Sequence, residues 1–144
     1  MENNYSILTG YEQMDVSAIH QYLSQESYWA KGIPLDLVQQ SLQHSYCIGI
    51  FNGADQVGFA RLITDYSTFG YLADVYVLPA HQGRGLSKQM MQFITDQDWF
   101  QGLRRVMLAT ADAQGLYRQF GFAETATPER IMERKKEQAY TAKV

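Results

Sequence analysis

Between Leu72 and Ile94 a buried strand, a two-glycine turn and an amphipathic helix follow one another without a gap. Val75 and Val77 lie in a nearly continuous apolar run, as expected of a strand covered on both faces. Pro79 cannot donate to a ladder, so it ends the strand. Leu86, Met90, Phe93 and Ile94 then recur at helical spacing, with Ser87, Lys88, Gln92 and Thr95 on the other face. Gly83 and Gly85 let the backbone approach a ligand closely, and the first amides of the helix have no partner within it. A helix start of this kind binds phosphate. Read alone, the pattern leaves an alternative open, in which the two glycines serve turn geometry only. The turn is not a dinucleotide fingerprint, because it lacks the third glycine. Nor is it a P-loop, because no Gly-Lys-Ser/Thr follows.

The segment Gln82-Gly83-Arg84-Gly85-Leu86-Ser87 resembles the acyl-CoA loop of the GNAT acetyltransferase family, whose pattern is Gln/Arg-x-x-Gly-x-Gly/Ala. Gln82 and Gly85 match, and Ser87 stands where Gly or Ala is usual. Downstream, Leu108 through Phe122 is similar to the family's next strand, its tyrosine-bearing helix and its Gly-Phe exit. The strong resemblance covers residues 71–123. It implies a single α/β domain over residues 1–144, with a central mixed sheet, helices on both faces, and two parallel strands splayed apart at the cofactor site. Residues 1–70 form the acceptor-side half, and residues 71–123 the acyl-CoA-binding core.

Composition agrees with one domain. A chain of 144 residues, 46% hydrophobic, can bury a proper core. Cys47 is the single cysteine and lies in an apolar run, which suits a small buried hydrophobe. The start Met-Glu-Asn-Asn lacks the regions of a signal peptide, and no stretch is long and apolar enough to span a membrane, so the expectation is a cytoplasmic protein with no membrane partner. The net charge of −3 argues against nucleic acid as a partner. Residues 1–80 carry a net −6 and residues 81–144 a net +3. The second half therefore suits a phosphate-bearing cofactor and the first a cationic acceptor, although a solvated basic tail gives the same split.

In chain order, residues 5–9 read as a strand, and Asp15 as the cap of a helix with Val16, Ile19 and Leu23 inward. Pro34 opens a second helix to about Gln43, with Leu35, Val38 and Leu42 inward. Residues 46–51 and 56–64 form a hairpin about Asn52-Gly53. The strand–turn–helix unit occupies residues 71–97. Residues 105–110 form a strand and residues 114–120 a short helix stopped by Gly121. Phe122 starts a last strand region, residues 131–134 pair as another, and Lys135 onward is a mobile charged tail.

The resemblance distributes roles. Gln82, Gly83, Arg84, Gly85, Leu86 and Ser87 bind the pyrophosphate of acetyl-CoA, the acyl donor, chiefly through backbone amides. Arg84 and Lys88 add charge or are simply solvated. Val75, Tyr76 and Val77 present backbone groups to the pantetheine arm, and an amide near Val77 holds the thioester carbonyl oxygen as it gains charge. Tyr117 occupies the family's tyrosine position and donates a proton to the departing thiolate. Asp112 stands where the family often has an Asn touching pantetheine. The attacking amine must lose a proton. Asp74, a carboxylate in an apolar strand, is the candidate base or else a hydrogen-bonded structural acid; Tyr71 and Asp65 are alternatives. Tyr28 and Trp29 fall in the family's variable acceptor-binding segment, with Asp74 as a third acceptor contact. The histidines have no metal-ligand spacing, so no metal is expected. The implied function is acetyl-CoA-dependent N-acetylation of a primary amine on a small molecule or peptide; the alternative is a non-catalytic acyl-CoA-binding module. Polyamine, aminoglycoside, amino acid, peptide N-terminus and protein lysine all remain open as acceptors, as do monomer and homodimer.

Overall fold

The computed structural model describes residues 4–140. Five strands form one sheet in the order β1 (Tyr5–Thr9), β2 (Tyr46–Asn52), β3 (Asp55–Thr64), β4 (Phe69–Val77) and β5 (Arg105–Leu108). Neighbours are antiparallel except β4 and β5, which are parallel. The helices are α1 (Val16–Gln25), α2 (Leu35–Gln43), α3 (Leu86–Thr95), α4 (Asp98–Gln101) and α5 (Gln114–Arg118). Alternation along the strands sends Ile48, Ile50, Ala60, Leu62 and Leu72 to one face, against Met90, Met91 and Ile94 of α3. Cys47, Phe59 and Tyr76 go to the other face, against Ile19 and Leu23 of α1 and Val38 and Leu42 of α2. Each such fully buried aliphatic side chain contributes about 1.5–3 kcal/mol relative to exposure. Helices therefore cover both faces, as the mixed α/β layout requires.

Two irregularities in β4 position the site. Arg61 is opposite Ala73 and Phe59 opposite Tyr76, so Asp74 and Val75 together oppose Ala60 alone. This is a β-bulge, and Asp74 takes φ +57°, a left-handed conformation that Asp tolerates better than most residues. Beyond the bulge β4 also loses its other neighbour. Pairing with β5 covers only Phe69–Leu72 against Arg105–Leu108, while β4 runs on to Val77. The parallel pair thus parts at the bulge.

Several expectations need correction. Among the described residues no strand follows β5. Residues 122–127 and 131–134 are irregular, and Met132 is 92% exposed. Among these residues β5 ends the sheet with its outer edge unpaired, and neither segment forms a ladder with it. Leu35 is exposed rather than inward, and Pro34 is the cap of α2, not its first residue. The helix after the glycine turn stops at Thr95, and α4 is separate. The final segment is not wholly a solvated tail, since Tyr140 packs with the α1–α2 side of the core. Its carbonyl oxygen would lie 2.9 Å from a Cβ on Gly32, so the close approach there requires glycine.

Candidate active site

The turn after β4 is built around left-handed glycines. Gly83 has φ +79° and Gly85, the cap of α3, φ +74°; a Cβ at either would project into open space. The Gln82 side chain ties the turn to the strand end by donating to the Val77 carbonyl at 2.9 Å, and the Gln82 amide donates to the Pro79 carbonyl at 3.3 Å. Gln82 thus braces the turn, and its amide is not free as the sequence suggested. The next six amides, residues 83–88, have no protein acceptor among the described residues. They lie at a groove of about 520 Å³ lined by Val75, Tyr76, Val77, Gln82, Gly83 and Leu86–Lys88, with Asp112 on the far wall. The Ser87 hydroxyl has no partner among the described residues and adds a donor there. Arg84 stands over the Tyr5 ring at 5.9 Å, within cation–π range. These features fit a diphosphate: a row of unpaired donors at the positive end of a ten-residue helix, with a basic side chain beside it.

A second cleft, about 850 Å³, opens on the other side of Val75. Its walls include Tyr28, Trp29, Arg61, Tyr71, Asp74, Tyr117 and Tyr140. Tyr28, Trp29, Val75 and Asp112 line both cavities and form a waist between them. The volume is that of a small-molecule site.

Tyr117 is buried on α5, with its ring edge-on to Phe122. Its hydroxyl has no protein partner, yet no buried side-chain N or O atom among the described residues lacks one. The phenol oxygen is therefore reached by solvent, and Tyr117 lines this cleft as well as a further cavity beside β5. Burial, followed by the nearby Tyr28 and Asp112, pushes its pKa up to about 12, so the phenol stays protonated at any ordinary pH.

Asp74 differs from a free base. Its Oδ1 accepts from the Trp29 indole N–H at 2.8 Å, and its Oδ2 from Arg61 Nε at 2.8 Å. Asp65 lies away from the cleft and accepts from the amides of Ser67, Thr68 and Phe69 and from the Thr68 hydroxyl, which holds its carboxyl well below the usual range. Tyr71 does line the larger cleft. Asp112 is exposed at the waist and makes no hydrogen bond or ion pair among the described residues. Burial pushes the Cys47 thiol up to about 12, which makes it inert.

Sequence reading missed three residues. Arg61 is a lone cation in an apolar strand, a signal that was there to be used. His81 lines the donor groove with its Nδ1 fixed by the Tyr5 hydroxyl at 2.6 Å. Tyr140 comes from too far along the chain for any local pattern to show.

Comparison with known proteins places the fold in a family. Residues 16–122 match the Acetyltransferase (GNAT) family. A candidate acetyltransferase of Gibberella zeae is 38% identical over 135 residues, covering 79% of this chain and 76% of its own. The crystal structure of a candidate GNAT acetyltransferase from Xanthomonas campestris superposes with a TM-score of 0.94 at 46% identity, over 99% of this chain and all of that one (100%). An acetyltransferase structure from Clostridium acetobutylicum, solved with acetyl-CoA, shares the fold with a TM-score of 0.69 at 13% identity, over 91% and 96% of the two chains. With most of its length matched, this chain belongs to the GNAT acetyltransferase family.

Proposed function

We propose that the protein transfers the acetyl group of acetyl-CoA to a primary amine, by direct attack while both reactants are bound. One observation carries the reading. Six consecutive unpaired amides border a groove that meets a small-molecule cleft beside the open hydroxyl of Tyr117. A relative by fold, from Clostridium acetobutylicum, was solved with acetyl-CoA.

In this reading the amides of residues 83–88 hold the diphosphate, and Ser87, Arg84 and Lys88 add polar and charged contacts. Backbone groups of Val75, Tyr76 and Val77 face the pantetheine arm. Bound acetyl-CoA supplies an activated acetyl group. At the waist Tyr28 and Trp29 confine the acceptor, and Asp112 holds its ammonium until a proton passes to water in the open cleft. The amine nitrogen bonds to the acetyl carbon as the carbon–sulfur bond breaks. Tyr117 hands its proton to the sulfur, which departs with the carbon–sulfur electron pair; the acetylated nitrogen sheds its second proton to water, and Tyr117 is reprotonated from solvent. A neutral phenol is the form this needs, and burial keeps it so. Asp74 acts as a positioning residue that fixes Trp29 and Arg61.

Calorimetry with CoA and thiol release from acetyl-CoA with a panel of primary amines test this. Binding together with amine-dependent thiol release is expected. Binding without turnover for every amine would favour a non-catalytic module, and no heat at millimolar CoA would end the reading.

A further inference from the structure

Arg61 carries a feature that acetyl transfer as such does not use. Its side chain is 15% exposed and rises from β3 into the acceptor cleft. Nε donates to Asp74, and Nη1 donates to the Ser45 hydroxyl at 3.1 Å, which in turn donates to the Ser41 carbonyl. Nη2 has no protein partner among the described residues. Because no buried side-chain nitrogen among them lacks a partner, Nη2 must reach the open cleft. Two anchored nitrogens and one free edge make a rigid donor, oriented before any ligand arrives. Asp74 does not satisfy that edge, since its oxygens are already taken by Nε and by Trp29.

We propose that the free edge of Arg61 is a carboxylate subsite, so that the acceptor is an aminocarboxylate, a member of the amino-acid class. The proposal rests on the acetyl-transfer reading and narrows it. The cleft is polarised in the matching sense. Asp74 and Asp112 are the carboxylates on its walls, and only Asp112 is unpaired, at the waist where the amine must sit. Arg61 lies opposite Ala73 of β4, whereas the chain leading to Asp112 and Tyr117 continues from β5 on the far side of β4. Two strand spacings, roughly 10 Å, separate the two banks at backbone level, and the side chains reach inward from each. An ammonium at one bank and a carboxylate at the other meet opposite charges. A diamine would set its second cation against Arg61, where the like charge repels it. Tyr28, Trp29, Tyr71 and Tyr140 leave an apolar wall between for a carbon skeleton.

The test is a thiol-release assay on phenylalanine, leucine, 4-aminobutyrate and 6-aminohexanoate, each run beside its own carboxamide, with wild type and Arg61→Lys. Lysine keeps a cation for Asp74 but loses the forked edge. At least one acid is expected to exceed its amide tenfold or more in kcat/KM. In Arg61→Lys that ratio should fall toward one through a higher acceptor KM, with the KM for acetyl-CoA unchanged. Amides of 4-aminobutyrate and 6-aminohexanoate keep nearly the same amine basicity, so they control for nucleophilicity. Amides turned over as well as acids by wild type would overturn the subsite while leaving acetyl transfer intact. So would an Arg61→Lys enzyme that loses acids and amides in equal proportion, since that marks a purely structural arginine. If acetyl-CoA itself fails to bind wild type, the acetyl-transfer reading fails, and the subsite with it.

Discussion

Arg61 on β3 and Asp74 in the β4 bulge form an ion pair at 2.8 Å, with side chains 15% and 8% exposed. The pair spans the point where the ladder register shifts, so it braces the irregularity that parts β4 from β5. Removing Asp74 strands a largely buried guanidinium and takes the acceptor from Trp29. Asp74→Ala is expected to cost about 3 kcal/mol in urea unfolding, and Asp74→Asn, which tolerates φ +57° and keeps one acceptor, about half of that. A folded Asp74→Asn enzyme with kcat lost a thousandfold would instead identify Asp74 as the proton acceptor.

Tyr117→Phe removes one hydroxyl that no protein group binds. Stability should change little, and kcat should drop on the order of tenfold or more with CoA affinity kept. Single-turnover thiol release and calorimetry measure the two. An unchanged chemical step would leave the thiolate to take its proton from water.

Gly85 caps α3 at φ +74° with open space where a Cβ would project. Gly85→Val therefore strains the backbone by about 1–2 kcal/mol and pushes its side chain into the donor groove without colliding with the protein. Circular dichroism should report a folded chain, while CoA binding by calorimetry should be lost. Wild-type affinity would show that phosphates bind elsewhere.

Asp65 closes the β3–β4 turn by accepting four hydrogen bonds, and its folded pKa lies well below the unfolded value. Its contribution is therefore complete above the unfolded pKa of about 4 and is lost as pH falls toward the folded value. Asp65→Asn should flatten that part of the acid unfolding curve measured between pH 5 and about 2. A profile unchanged from wild type would mean that other carboxyls govern acid unfolding.

Gly32 sits at φ +81° with a Cβ position 2.9 Å from the Tyr140 carbonyl oxygen. Gly32→Ala must displace the Tyr140 segment from the acceptor cleft. Acceptor KM should rise severalfold while the KM for acetyl-CoA stays, as initial-rate kinetics with each reactant varied would show. Equal shifts in both constants would point to a general loss of structure.

The glycine turn and its helix were legible because a nearly continuous apolar run gives way to a 3.6-residue apolar period across two glycines, a contrast that survives without tertiary knowledge. The motif placed Tyr117 on a short helix, and the structure sets that helix beside the cleft. The false strands after Phe122 arose because apolar residues such as Ile131 and Met132 suggest a buried strand, and no local pattern reveals whether a segment pairs with the free edge of β5. Asp74 drew notice as a carboxylate among apolar residues, but its left-handed backbone did not, since only the surrounding sheet holds a non-glycine residue there. Its partnership with Arg61, 13 residues earlier, depends on a register that the bulge itself sets. Arg61 was therefore visible as an oddity and not as a partner.

The shared waist of Tyr28, Trp29, Val75 and Asp112 has a kinetic meaning. Each cavity is itself open to solvent, so under the acetyl-transfer proposal neither reactant need pass through the other's seat. Either can arrive first and either product can depart first, and steady-state rates should follow a random sequential law in which each product competes chiefly with the reactant whose doorway it uses.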